Sequence, residues 1–277
     1  MTATAPDDPT RFWETVSETA EFYERELVPA LFEPWAAELV ELVSPQPGER
    51  VLDLACGTGL VARKAATRLA GTGQIVGVDL NPGMLAVAHR SAAGVEPAIR
   101  WRQASALDTG LPDESIDAAF CQQGLQFFPD WMAALRELHR VMAPDGRAAV
   151  SVWCDPYAPG YAPFWRAFEQ HLADLPAALD FLRAVFALDD AGELRGLLTD
   201  AGFRDVRVSR HTHHVRAASA EAWAGAFLGA APVPGLAEYD PKVLGRIAGE
   251  VVAALRPYVD GDGLTFPISA NVTLARR

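Results

Sequence analysis

Nine consecutive residues, Val51-Leu52-Asp53-Leu54-Ala55-Cys56-Gly57-Thr58-Gly59, run from an apolar strand through a glycine turn into a helix. Glycines at such a turn let the backbone approach a ligand closely, and the following helix presents the positive end of its dipole. Gly57, Gly59 and Ala62 have the G-x-G-x-x-A spacing of a dinucleotide-binding turn. Asp53, four residues before Gly57, separates two chemistries. A carboxylate there repels a pyrophosphate but attracts a ligand carrying an ammonium and a sulfonium. Asp79 ends the next apolar strand, 20 residues after Gly59, where a carboxylate can accept both hydroxyls of a ribose. That device serves any nucleoside. Leu80 and Met84 follow, placed either to pack on an adenine or to join the ordinary core.

The elements that must position these residues alternate. Arg50 to Leu54, Gln74 to Leu80, Ala98 to Gln103, Ile116 to Cys121 and Arg147 to Trp153 read as strands. Leu60 to Leu69, a helix capped by Asn81-Pro82, and Trp131 to Met142 lie between them. Strands alternating with helices predict a parallel α/β sheet. Ahead of it, residues 11–45 read as helical with breaks at Pro29 and Pro34. Beyond it, Tyr157 to Leu188 reads as two helices without an intervening strand. Glu193 to Ala201 reads as a helix, Val206 to Arg216 as a strand, Glu221 to Leu228 and Lys242 to Arg256 as helices, and Leu264 to Ala275 as a closing strand.

Residues Val51 to Gly59 resemble motif I of the class I S-adenosylmethionine (SAM) methyltransferases, in which the aspartate faces the methionine moiety. The likeness extends further. Val76 to Leu85 is similar to that family's second-strand motif, and Trp101 to Pro112 to its third-strand segment. Asp117 to Phe128 and Leu135 to Gly146 resemble its fourth strand, following helix and turn, and Gly202-Phe203 to Val208 its later strand entry. Within the superfamily the flavour is that of the small-molecule, ubiquinone/menaquinone-type enzymes. The resemblance implies a Rossmann-like seven-stranded, mostly parallel sheet with the last strand antiparallel, N-terminal helices and a helical cap. It implies S-adenosyl-L-methionine as cofactor, bound by Asp53, Ala55, Cys56, Gly57, Thr58, Gly59, Asp79, Leu80 and Met84. Two departures stand out. The third-strand acidic residue that contacts the adenine amino group is Ser105 here, so Ser105 and Ala106 are the adenine-side candidates, without charge assistance. The quinone enzymes carry G-[LI]-R-N after strand four, whereas this chain has Gly124-Leu125-Gln126-Phe127, which counts against quinone ring methylation.

Gln122 follows the fourth strand, at the sheet end where open α/β folds bind ligands, and is a further cofactor candidate, with Gln123 beside it. Tyr23, in an N-terminal segment that also carries Phe12, Trp13, Phe22, Phe32 and Trp35, is the candidate contact near the methionine end or the acceptor. Methyl transfer is an in-line displacement that needs alignment and dryness more than a fixed base, so no catalytic residue is assigned. His139 reads as packing and His89 as solvated. His211 and His213 share a strand face without an evident acidic partner, and read as a half-exposed strand. His171 lies in the cap. From Trp153 to Phe186, eight of 34 residues are aromatic against 9% for the chain: either an aromatic acceptor pocket or the cap's own core.

The chain has 277 residues, enough for one large domain or a domain with a cap, and a net charge of −12. That balance argues against nucleic acid, because phosphate binding needs a basic surface. Three widely spaced cysteines, Cys56, Cys121 and Cys154, fit a reducing, cytoplasmic setting and offer no metal spacing. Residues 1–10 read as a flexible tail, not a signal peptide. The longest uncharged stretch, Ala222 to Ala237, is broken by Pro232 and Pro234 and too short to span a bilayer.

The expected organisation is a helical segment at 11–45 over the active site and a SAM-binding core at 46–153. An aromatic cap follows at 154–190, and the rest of the core at 191–277 carries a helical insertion at about 219–256. The expected reaction moves a methyl group from SAM to a small, hydrophobic or aromatic metabolite. The rivals are an NAD-dependent oxidoreductase using the G-x-G-x-x-A turn, and a SAM-binding protein that does not methylate. The acceptor's identity and the oligomeric state are left open.

Overall fold

A computed structural model of the chain describes residues 19–277 apart from 231, 232, 234, 237 and 262. The tail at 1–10, and Phe12 and Trp13, lie outside the described residues. Five parallel strands form the frame: β1 (Arg50–Leu54), β2 (Gln74–Asp79), β3 (Ile99–Gln103), β4 (Ile116–Gln122) and β5 (Met142–Trp153). β6 (Arg204–Ala217) and β8 (Gly263–Arg276) complete the order β3-β2-β1-β4-β5-β8-β6, with β8 antiparallel to both its neighbours. The last strand is thus the antiparallel one, as expected. The sheet has eight strands because β7 (Val259–Asp260) adds a two-residue hairpin to β8. β5 begins earlier than the sequence predicts. Ile116 pairs with Met142 and Ala118 with Arg147, so the Pro144-Asp145-Gly146 turn is looped out within the strand.

Side chains of a strand alternate between faces, and each face carries its own core. Val51, Ala118, Phe120 and Ala149 pack on one side with Leu39, Val61, Ala65 and Leu69. Leu52, Leu54, Ala119, Cys121 and Val150 pack on the other with Leu135, Leu138, Leu194 and Leu198. The helices are α1 (Ala20–Phe22), α2 (Glu33–Val43), α3 (Leu60–Leu69), α4 (Pro82–Ser91), α5 (Trp131–Val141), α6 (Ala162–His171), α7 (Pro176–Val185), α8 (Ala191–Asp200), α9 (Ala220–Ala230) and α10 (Pro241–Leu255). Asn81 caps α4 as its sequence implies: Oδ1 accepts from the N–H groups of Gly83 and Met84 at 2.8 and 3.1 Å, with Pro82 in the first turn.

The N-terminal segment corrects one expectation. Pro29 and Pro34 do not break it. Tyr23–Phe32 joins α1 to α2 as π-helical turns, closed where Glu33 N–H reaches Val28 O, five residues back. The wider turn relieves the clash a proline ring makes in an α-helix, and Pro34 falls harmlessly in the first turn of α2. The result is an unbroken lid across the C-terminal ends of the strands. Arg63 of α3 holds its start, with Nη2 bonded to Glu24 at 2.7 Å.

Candidate active site

Lid, strand ends and cap enclose a cavity with an empty volume of about 1390 Å³, mouth included. Its floor is the β1–α3 turn. Ala55, Gly57 and Gly59 are left-handed there (φ +56°, +52° and +81°). At Gly57 a Cβ would meet no protein atom within 4 Å, so the turn leaves open space where a side chain would stand, on the cavity wall. Gly59 has another reason to be glycine. A Cβ there would lie 2.3 Å from the indole of Trp101 on β3, and one at Gly77 would lie 2.4 Å from the same ring.

Asp79 ties the floor together. Its Oδ2 accepts from Gly57 N–H at 2.7 Å and its Oδ1 from Asn81 N–H at 2.8 Å. Burial raises its pKa above the usual carboxylate range, opposed by those bonds. Among the described residues that line the cavity, Asp79 is the only Asp, Glu, Lys, Arg or His.

Of the residues expected to hold the cofactor, Tyr23, Ala55, Gly57, Asp79, Leu80, Met84, Ser105, Ala106 and Gln122 line this cavity. Asp53, Cys56, Thr58 and Gly59 do not. Asp53 is 1% exposed and turned toward α3, where its Oδ2 accepts from Ala62 N–H at 2.9 Å. The first-turn amides of α3 lack partners within the helix, and the carboxylate caps one of them rather than facing a ligand. Burial pushes Asp53 up to about 7, with Asp79 adding to the rise and the Ala62 bond opposing it. Cys56 is buried with its thiol pKa raised by desolvation.

Ser105 Oγ accepts from Leu107 N–H at 3.1 Å, which leaves its O–H free to donate. Gln122 Nε2 donates to Phe32 O at 3.2 Å, a direct link from strand end to lid. Tyr23 stacks near Phe32 with centroids 5.1 Å apart, and burial raises its phenol pKa, as it does that of Tyr161.

The cap aromatics divide between the two expected roles. Trp153, Tyr161 and Phe181 line the cavity, whereas Phe164 and Phe168 are wholly buried core and Tyr157 is 82% exposed. Phe227 of α9 joins the wall and stacks on Phe164 at 4.0 Å. Sequence reasoning missed Phe227, Leu27, Leu31, Phe127 and Phe128 as wall residues. The helical spacing of Leu27 and Leu31 beside Tyr23 was the available signal.

None of the six histidines lines the cavity. His171 bonds Glu250 at 2.7 Å, and His139 packs edge-on against Phe203 with its pKa lowered by burial. His211 and His213 have an acidic partner after all. Glu38 of α2 receives His211 Nδ1 at 2.6 Å and His213 Nε2 at 2.9 Å. No group of metal-ligating side chains occurs among the described residues, and no described helix is long and apolar enough to cross a membrane.

A family described as a methyltransferase domain matches residues 52–150. The chain is 34% identical over 183 residues to a 2-phytyl-1,4-naphtoquinone methyltransferase of Synechococcus elongatus, covering 64% of this chain and 77% of that protein. The chain belongs to the class I SAM-dependent methyltransferases. It is also 36% identical over 138 residues to a demethylmenaquinone methyltransferase of Thermus thermophilus, covering 50% of this chain and 62% of that one. Its fold is similar to a phosphoethanolamine N-methyltransferase of Haemonchus contortus solved with S-adenosylhomocysteine. That match has a TM-score of 0.63 and 18% identity, over 98% of this chain and 60% of the other. The enzyme therefore uses S-adenosylmethionine to methylate a small molecule, and the dinucleotide reading of G-x-G-x-x-A falls away. The open space at Gly57 and the spare lone pairs of Asp79 fit such a cofactor.

Proposed function

We propose that the methyltransferase holds its cofactor over the β1–α3 turn and methylates a hydrophobic or aromatic small molecule enclosed between lid and cap. The composition of the wall carries this reading. The wall joins the glycine turn, Asp79, Leu80, Met84, Ser105 and Ala106 to an apolar set, Leu27, Leu31, Phe32, Phe127, Trp153, Phe181 and Phe227, in which Phe32 lies against Trp153 and Phe127 on Phe181. Asp79 takes the ribose hydroxyls with the lone pairs its backbone bonds leave free. Leu80 and Met84 cover the adenine, and the Ser105 hydroxyl meets its edge. Gln122 and Tyr23 stand at the methionine end.

The bound cofactor supplies a methyl group already activated on a sulfonium. The protein's own share is alignment and exclusion of water, which contributes roughly 7–11 kcal/mol in favourable cases. No histidine reaches the wall, and the phenols of Tyr23 and Tyr161 are held protonated by burial. The acceptor must then bring a nucleophile that needs little help losing a proton. The relatives named above act on a phytyl-naphthoquinone and a demethylmenaquinone, which supports a ring acceptor. The Gln126-Phe127 pair, in place of Arg-Asn, separates this enzyme's acceptor from theirs.

Calorimetry with S-adenosylhomocysteine and NAD, followed by transfer of labelled methyl from SAM to 1,4-dihydroxynaphthalene or to ethanolamine, tests the proposal. The nucleoside thioether should bind, NAD should not, and label should enter the ring compound only. Label in ethanolamine alone would sink the acceptor assignment.

A further inference from the structure

Where β4 ends, at and just behind the cavity wall, lie buried amide groups without a partner among the described residues. Gln122 Oε1, both amide atoms of Gln123 and both of Gln126 are buried without a hydrogen-bond partner, as is Ser151 Oγ on the adjacent strand. Gln123 is 7% and Gln126 3% exposed. A buried polar group left unbonded is costly, so each such orphan favours a ligand that satisfies it. The backbone adds to this. Gln123 is left-handed at φ +52°, with its N–H bonded to Ser151 O at 2.9 Å, a conformation that strains a residue with a Cβ.

Gln122 and Gln123 line the cavity with Gly124 and Phe127, and the Phe127 ring stacks on Phe181 of the cap helix α7 with centroids 5.9 Å apart. Gln122 already spends its N–H on the lid. Gln123 keeps a donor and an acceptor together, which matches a hydroxyl or carbonyl oxygen rather than a charged group. Among the described residues, the cavity wall holds no lysine, arginine or histidine to neutralise an anion.

We propose that Gln123 is a specificity-determining residue that grips a neutral oxygen substituent of the acceptor ring. It selects oxygenated rings over bare hydrocarbons and over charged molecules. This rests on the reading that the acceptor fills the aromatic part of the cavity.

The test compares 1,4-dihydroxynaphthalene with naphthalene, each titrated onto the enzyme saturated with S-adenosylhomocysteine and followed by tryptophan fluorescence. Wild type should favour the diol by about tenfold, from one or two neutral hydrogen bonds. Gln123→Ala should erase that preference and leave S-adenosylhomocysteine affinity unchanged. Gln123→Gly relieves the left-handed backbone, so it supplies the answer should the alanine variant fail to fold. The proposal is overturned if wild type shows no preference, or if either folded variant keeps it. It is equally overturned if preference and cofactor affinity fall together, because Gln123 would then serve the cofactor. Failure of wild type to bind S-adenosylhomocysteine would instead refute the underlying site assignment.

Discussion

Replacement of Asp79 by alanine tests the cofactor site most directly. The carboxylate sits at the end of β2 with each oxygen already accepting one backbone N–H, at 2.7 and 2.8 Å. Each oxygen retains a lone pair for a ribose hydroxyl. A hydrogen bond to a charged group contributes about 1.5–3 kcal/mol, so two lost bonds amount to about 3–6 kcal/mol, or roughly 10²–10⁴-fold weaker binding. The variant also strands the amides of Gly57 and Asn81, so its melting temperature should fall as well. Isothermal titration with S-adenosylhomocysteine, on protein shown to be folded by circular dichroism, measures the first effect apart from the second. In wild type, affinity should also weaken as the pH drops toward the raised pKa of Asp79, because the neutral acid loses charge assistance. A folded Asp79→Ala variant that binds within threefold of wild type would refute the ribose assignment.

Two further outcomes follow from the same turn. Asp53 has its folded-state pKa raised to about 7 from 3.8, so the folded chain holds an extra proton between those values and stability falls as pH rises through that window. The shift of about three units corresponds to at most about 4 kcal/mol for this fully buried group. Asp53→Asn should flatten most of the decline in denaturant midpoint between pH 5 and 8, leaving the part due to Asp79; an unchanged slope would show that Asp53 is ionised throughout. Gly57→Ala and Gly59→Ala should separate by readout. The first places a methyl in open cavity space and should weaken cofactor binding by at least about tenfold, with a strain of about 1–2 kcal/mol. The second drives a methyl into Trp101 and should lower the melting temperature more, by overpacking worth a further 1–3 kcal/mol or so. Equal losses of stability in the two variants would contradict this division.

Among the described residues the wall carries no basic side chain. Among the bonds that hold the lid, Glu24 on Arg63 lies beside the glycine turn and Phe32 O on Gln122 lies at the end of β4.

Much of the framework is written locally. The β1 strand, its glycine turn, α3 and the Asn81-Pro82 cap of α4 depend on residues within a few positions of each other, so spacing alone exposes them. The alternation of strands and helices likewise declares a parallel sheet, and with it the strand ends where a ligand must sit. What lies out of reach is set by residues far apart in the chain. Gly57 and Gly59 look equivalent in the motif, and only Trp101, brought over from β3, makes one a packing residue and leaves the other facing the cavity. Asp53 reads as a ligand group until α3 presents an unsatisfied amide to it. Glu38 meets His211 and His213 more than 170 positions away, which no local spacing announces. The aromatic cap advertises an apolar function, but which of its rings face the cavity and which fill the core depends on how α6, α7 and α9 pack together. Local sequence determines which elements form, because hydrogen bonding and side-chain periodicity act over three to five residues. Tertiary packing alone decides where a side chain points, because that is settled by the neighbour that competes for it.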